Sequence, residues 1–298
     1  MFSAVGRVAT SLQALAVLTT GAVVLSGCVA EISGRPNPVV TGGGPSAQVF
    51  EQVEPPQLGT CLDTKNGGAG PLGPPTTLPC SEPHGGEIAK VVDVPDQVDG
   101  AYPTQSSLDS DVWSNLLYGD EGCGASQLVS AYLGAREQDN LLVDYYSYLP
   151  KRVAWEAGAR WVACVVEYSL GSFGGANAPG LMALAMRGPD SAAYRECWFG
   201  PETVYDVVPC SQPHEAEPSG DYAVVDDEAP FPVDALDRQP LVDQCRDRVV
   251  DYLEGDVPSG YLAGIYLPTE QEWSDFPIVE CVILDSRGRR TTGSAADA

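Results

Sequence analysis

The chain is 298 residues long, enough for two ordinary domains, and its 41 acidic against 16 basic side chains leave a formal net charge of −25. That balance excludes a nucleic-acid-binding surface, whose phosphates demand Lys and Arg, and it excludes electrostatic docking on anionic lipid. An acidic surface of this kind is first of all a solubility device.

Residues 1–27 carry one charge, Arg7, and an apolar run from Leu12 to Leu25 that is too short to span a bilayer. This is the pattern of a signal peptide. The run closes on Leu25-Ser26-Gly27-Cys28, which resembles the lipobox of bacterial lipoproteins. The resemblance implies cleavage before Cys28, acylation of its thiol, and anchoring of the mature chain to the membrane by two or three acyl chains on the outer face of the cytoplasmic membrane. Residues 28–57, rich in Gly, Pro, Ser and Val and without periodicity, are expected to form a disordered tether.

A first domain is expected over 58–172. It opens with a short strand at 58–62, crosses a Gly/Pro loop, and runs a second strand into Cys80; a turn Ser81-Glu82-Pro83-His84 then leads into an alternating strand over 87–94. Tyr102-Pro103 opens a loop, helices follow over 108–117 and 123–133, a tyrosine-rich strand covers 141–149, and 161–168 is apolar enough for a central strand. Residues 173–193 are read as a linker. The second domain, 194–285, repeats the plan with strands over 194–199 and 204–209, a turn Ser211-Gln212-Pro213-His214, a strand through 223–225, a helix over 233–253 and a closing strand over 278–284. The tail 286–298 is expected to fray.

The repeat is sharpest where the rarest residue sits. The chain has two histidines, and both occur in one string, apolar-Pro-Cys-Ser-x-Pro-His-x-x-Glu: Cys80, Ser81, Pro83, His84 and Glu87, then Cys210, Ser211, Pro213, His214 and Glu217. Phe231-Pro232 answers Tyr102-Pro103, and Tyr266-Leu267-Pro268 with Trp273 answers Tyr148-Leu149-Pro150 with Trp155. Setting Cys28 aside, each half holds four cysteines: Cys61, Cys80, Cys123 and Cys164, then Cys197, Cys210, Cys245 and Cys281. An even count in an exported chain implies disulfides. Four cysteines allow three pairings per half and the sequence does not choose. We expect first with second and third with fourth, because the first two flank a short segment while the third falls on an expected helix and the fourth on the closing strand. The fold class is therefore α+β, with two tandem disulfide-stapled domains, each an antiparallel sheet with one covering helix.

These residues resemble the septum-formation domain family of actinobacterial envelope proteins. Its pattern is a Gly-x-Cys start, the cysteine-to-glutamate core, an aromatic-Pro, a helix with cysteine, a Tyr-x-Pro with tryptophan, and a cysteine in the last strand. The resemblance covers nearly all of 58–172 and 194–294 and implies a link to cell division. The second copy departs at Arg195-Glu196-Cys197, where the first has Gly59-Thr60-Cys61, and at Ser274-Asp275-Phe276, where the first has Gly158-Ala159-Arg160.

Each His-Glu pair invites a sharper reading. Zinc needs three or four ligands, and Cys80 and Cys210 cannot serve once oxidised. Ser81 with His84, or Ser211 with His214, lacks the orienting acid and oxyanion hole of an acyl-transfer site. The expectation is structural: imidazoles bonded to a carboxylate or backbone carbonyl, and serine hydroxyls capping the turns. No cofactor or metal is expected. The sequence reads as a lipid-anchored envelope protein that binds an envelope or division partner and performs no chemistry. The competing readings are a wall-directed hydrolase, a metal-binding accessory protein, and a sensor subunit.

Overall fold

The computed structural model describes residues 49–64, 71–96, 98, 100–124, 127–170, 176–200, 205–226, 229–275 and 277–297. The expected signal peptide, Cys28 and most of the expected tether lie outside the described residues. Two halves follow each other along the chain. The first contains β1 (Cys61–Asp63), β2 (Thr76–Leu78), β3 (Gly86–Asp93), helices α1 (Gln105–Leu108), α2 (Asp111–Tyr118) and α3 (Gln127–Leu133), then β4 (Val143–Tyr148), α4 (Arg152–Glu156) and β5 (Trp161–Tyr168). The second contains β6 (Glu196–Phe199), β7 (Asp206–Pro209), β8 (Ala216–Ala223), α5 (Ala235–Leu253), β9 (Tyr261–Tyr266), α6 (Glu270–Trp273) and β10 (Val279–Asp285).

Both sheets are antiparallel and five-stranded, and their strand orders correspond one to one: β2-β1-β3-β5-β4 and β7-β6-β8-β10-β9. The four disulfides join Cys61 to Cys80, Cys123 to Cys164, Cys197 to Cys210 and Cys245 to Cys281, first with second and third with fourth in each half. In the chain-entropy picture, loops of 13 to 41 residues stabilise the fold by roughly 3 to 4 kcal/mol each.

In the second half one long helix covers the sheet. α5 starts at Asp234, whose carboxylate accepts from the N–H groups of Leu236 and Asp237, and it buries Cys245, Val249 and Tyr252 along one stripe. In the first half the cover is divided among α1, α2 and α3, and Cys123 sits in the turn ahead of α3 rather than on the expected helix. The aromatic-Pro loops reach the tryptophans: Tyr102 meets Trp155 edge to face at 6.0 Å, and Phe231 meets Trp273 at 5.6 Å. The Trp155 and Trp273 indole N–H groups donate to the carbonyls of Gly100 and Ala229. Arg160 lies 4.1 Å over the Trp155 ring, which accounts for the arginine in the first copy of the Gly-x-Arg segment.

Three sequence expectations need correction. The first is β8, expected only around 223–225 because Pro218 and Gly220 interrupt the pattern. It runs from 216 to 223 because its register against β10 shifts between Glu280 and Val282, and Gly220 takes φ +74° within that irregular stretch. The second is the tether, which is not structureless to residue 57. Phe50 is fully buried against Tyr148 and Trp161, and the Trp161 indole donates to the Val53 carbonyl. With helices over one face and this segment over the other, all eight residues of β5 are buried. The third is the tail, in which Thr291, Ser294 and Ala295 are hydrogen-bonded into the second half instead of fraying.

The two halves belong to one compact unit. The strand-like stretch before β4 pairs with the one before β6: Leu142 N–H donates to Tyr194 O, Glu196 N–H donates to Asn140 O, and Leu141 bridges Arg195. Beside this pairing lies a buried ion pair, Arg195 Nη1 to Asp139 Oδ1 at 2.6 Å, with the side chains 6% and 2% exposed. Burial works against the Asp139 charge, but Arg136 and Arg195 hold its carboxyl below the usual aspartate range. Arg136 also donates to the Tyr252 carbonyl across the join. Among the described residues no helix is long and apolar enough to cross a membrane.

Asp139→Ala would take away the closest partner of the buried Arg195 charge, leaving Asp297 at 3.6 Å, and is expected to destabilise the protein by about 3 kcal/mol. Asp243→Ala, which removes an exposed pair with Arg246 and an exposed hydrogen bond from Gln239 on α5, should leave the denaturant midpoint nearly unchanged. Similar midpoints for the two variants would show that the buried pair holds nothing together.

Candidate functional site: the two histidine turns

Each turn begins at a half-cystine and closes with a backbone bond, Glu82 N–H to Pro79 O at 2.9 Å in the first half and Gln212 N–H to Pro209 O at 2.8 Å in the second. Ser81 and Ser211 are exposed, and among the described residues neither hydroxyl caps its turn or touches its histidine. The proline that follows sets up the extended approach to the histidine. Both imidazoles point inward, each 2% exposed.

Both rings make the same first bond. His84 Nδ1 lies 3.0 Å from Glu82 O, and His214 Nδ1 lies 2.9 Å from Gln212 O. A carbonyl only accepts, so Nδ1 carries the proton in both turns. The second nitrogen differs. His84 Nε2 meets Glu87 Oε1 at 3.0 Å, and this hydrogen bond, opposed by burial and reinforced by the Glu82 carbonyl, raises the His84 pKa. With Nδ1 already protonated, the arrangement is an imidazolium donating to a carboxylate. His214 Nε2 instead meets the Thr291 hydroxyl at 3.0 Å. The hydroxyl can serve that nitrogen as donor or as acceptor.

The glutamates do the same work in both halves. Glu87, 1% exposed, accepts from His84, from the Tyr132 hydroxyl on α3 at 2.7 Å, and from Met182 N–H at 2.7 Å. Glu217, 2% exposed, accepts from the Tyr252 hydroxyl on α5 at 3.0 Å, from Ser294 Oγ at 2.6 Å and from Ala295 N–H at 2.6 Å. In each case a helix tyrosine and the chain beyond the last strand of that half converge on one carboxylate. The histidine carbonyl adds a second tie four residues earlier in the returning segment, from Ala178 N–H to His84 O and from Thr291 N–H to His214 O. The turns are therefore clasps that fix the segment leaving each sheet. Tyr132 and Tyr252 were not singled out in the sequence, and neither was the Asp139–Arg195 pair. The signal for the latter was the departure at Arg195, since the first copy has Gly59 there with φ +74°.

Two groups of potential ligand atoms lie close together, Cys61 with His84 and Glu87, and Cys197 and Cys210 with Glu217. Their cysteine sulfurs are all in disulfides, and the carboxylates are already filled by donors. Without thiolates, each group offers too few ligands for a zinc site.

A sequence profile of a family described as septum formation matches residues 118–275, 158 of the 298 residues. The match is a single interval that begins at the end of α2, crosses the join and ends just past α6, so it includes the clasp at His214 but not the one at His84. Neither a curated protein nor a solved structure matches the chain.

His84→Ala removes a donor and leaves the Glu87 charge under-satisfied, with an expected loss of about 3 kcal/mol. His214→Ala removes only bonds to neutral groups and should cost about 1 to 2 kcal/mol. Because the folded His84 pKa lies above its usual 6.5, its contribution is fully present below that pH and fades as pH rises through the folded value. The gap in melting temperature between wild type and His84→Ala should accordingly narrow in alkaline buffer. A gap for His84→Ala that does not change with pH would contradict the imidazolium assignment.

Proposed function

The chain belongs to the septum-formation family, and on that premise we propose that it is a lipid-anchored, outward-facing envelope protein that binds or scaffolds a partner in cell division or wall maintenance, without catalysis. The two halves are tandem copies of one domain in this reading. Their corresponding strand orders and equivalent clasps support it.

The observation that carries the non-catalytic reading is the occupancy of the histidines. In both turns the two ring nitrogens are already bonded within the fold, and the neighbouring glutamates are filled by donors that hold the returning chain. A general base needs a free nitrogen facing substrate. Four disulfides favour an oxidising compartment, in keeping with export.

Cys28→Ala should abolish incorporation of labelled fatty acid and release the protein from the membrane fraction; unchanged labelling would remove the lipid anchor from the proposal. The binding role is tested by complementation. Cells lacking the protein should show altered septa, and a His84→Gln/His214→Gln double variant, grown at a temperature at which it remains folded, should restore them. A folded double variant that fails to restore septation would overturn the non-catalytic reading.

A further inference from the structure

We propose that the face of the second sheet turned away from α5 is a docking site for a partner segment that carries an aromatic residue beside a basic one. The proposal rests on the reading of the protein as a binder, and the duplication supplies its template. In the first half the corresponding face, formed by Leu62, Tyr148, Ala163 and Val165, is closed by the chain around Phe50. Phe50 lies 6.1 Å from Tyr148 and 6.0 Å from Trp161, while Lys151 N–H donates to its carbonyl and the Lys151 ammonium pairs with Glu51.

Aligning the halves on their cysteines and on Tyr-Leu-Pro puts Trp198 in the place of Leu62, Tyr266 in that of Tyr148, Val282 in that of Val165 and Glu280 in that of Ala163. The side chains packed on Trp198, Tyr266 and Val282 come from the sheet itself and from Tyr205, which stacks on Trp198 at 4.2 Å. Among the described residues no segment like that around Phe50 packs over this cluster. Tyr222, Ile278 and Leu262 are left 52%, 47% and 40% exposed, and a cleft of about 60 Å³ opens between Asn140, Trp198, Gly220, Tyr222 and Glu280.

Charge selects the occupant. Where the first half has Ala163 the second has Glu280, and Glu196 stands near it. Glu280 accepts only from the Tyr205 hydroxyl at 3.5 Å, Glu196 accepts only from the Trp198 indole at 2.6 Å, and neither has an ion-pair partner among the described residues. Burial first, and then the charge of Glu196, pushes the Glu280 carboxyl up to about 7. A basic group arriving with an aromatic one would relieve that repulsion while filling the cleft. A second copy of a chain with a net charge of −25 is the wrong partner on the same ground.

The probe is a synthetic peptide of residues 47–53, Ala47-Gln48-Val49-Phe50-Glu51-Gln52-Val53, carrying Glu51→Lys, titrated calorimetrically into the mature chain beside the unaltered peptide. The lysine peptide should bind about tenfold more tightly than the glutamate peptide, and Glu280→Ala, which installs the first-half residue, should reduce that ratio to about twofold. Phe50→Ala in the peptide should abolish binding. Equal affinities for the two peptides, or a ratio unaffected by Glu280→Ala, would overturn the proposal. So would absent binding accompanied by self-association that Glu280→Ala disrupts, since a second copy would then cover the face. These results in vitro bear on this face alone, because the binding role itself is judged by complementation in cells.

Discussion

A carboxylate kept almost wholly out of water, as Glu87 and Glu217 are, is tolerable only when donors surround it. Both glutamates recruit donors from the covering helix and from the chain beyond the sheet, and Glu87 adds a third from its histidine turn. Sheet, helix and return segment are thereby fixed to a common point. The disulfides between helix side and last strand act on the same layers, tying Cys123 to Cys164 and Cys245 to Cys281. The clasp carries the directional information that apolar packing lacks, because a hydrogen bond to a carboxylate tolerates little displacement.

The two halves share a strand order but are not equal. The first clasp contains an ionic His84–Glu87 bond, whereas the second gives the histidine a threonine and the glutamate a serine. Where the first half has Gly59 the second has Arg195, which spans the join to Asp139 and, within its own half, donates to the hydroxyl of Tyr252, the same tyrosine that serves Glu217. The second clasp is thus wired to the interface through Tyr252 and Arg195, while the first reaches it through the segment around Met182 and Tyr194. The open faces differ in the same way, apolar and covered in the first half, acidic and aromatic in the second.

Much of this was legible because local chemistry and tertiary role coincide. The eight cysteines, the alternating and apolar strand runs, and the aromatic-Pro and tryptophan spacing all mark positions whose partners are equivalents in a repeated plan, so finding the repeat located them. The two histidines stood out for the same reason. The donors to the glutamates were hidden: Tyr132, Tyr252, Met182 and Ala295 come from 35 to 95 residues away, and two of the four contribute only backbone N–H groups, which carry no sequence signature. Phe50 was masked by the Gly/Pro-rich stretch before it, and β8 by a proline and a glycine that a register shift absorbs. Arg195 was visible as a broken rule, but its partner was not.

The order in which a chain is synthesised gives the clasps a further consequence. Glu87 is released early, yet the N–H that completes it belongs to a residue 95 positions later, and the donors to Glu217 at Ser294 and Ala295 trail it by 77 and 78. A half whose strands paired ahead of its late segment would hold an incompletely donated acid in its interior. Closure arrives from downstream. A chain halted before residue 182 would leave the first half open, and one halted before residue 294 would leave the second open, so that arrival of the late segments is a check on completeness.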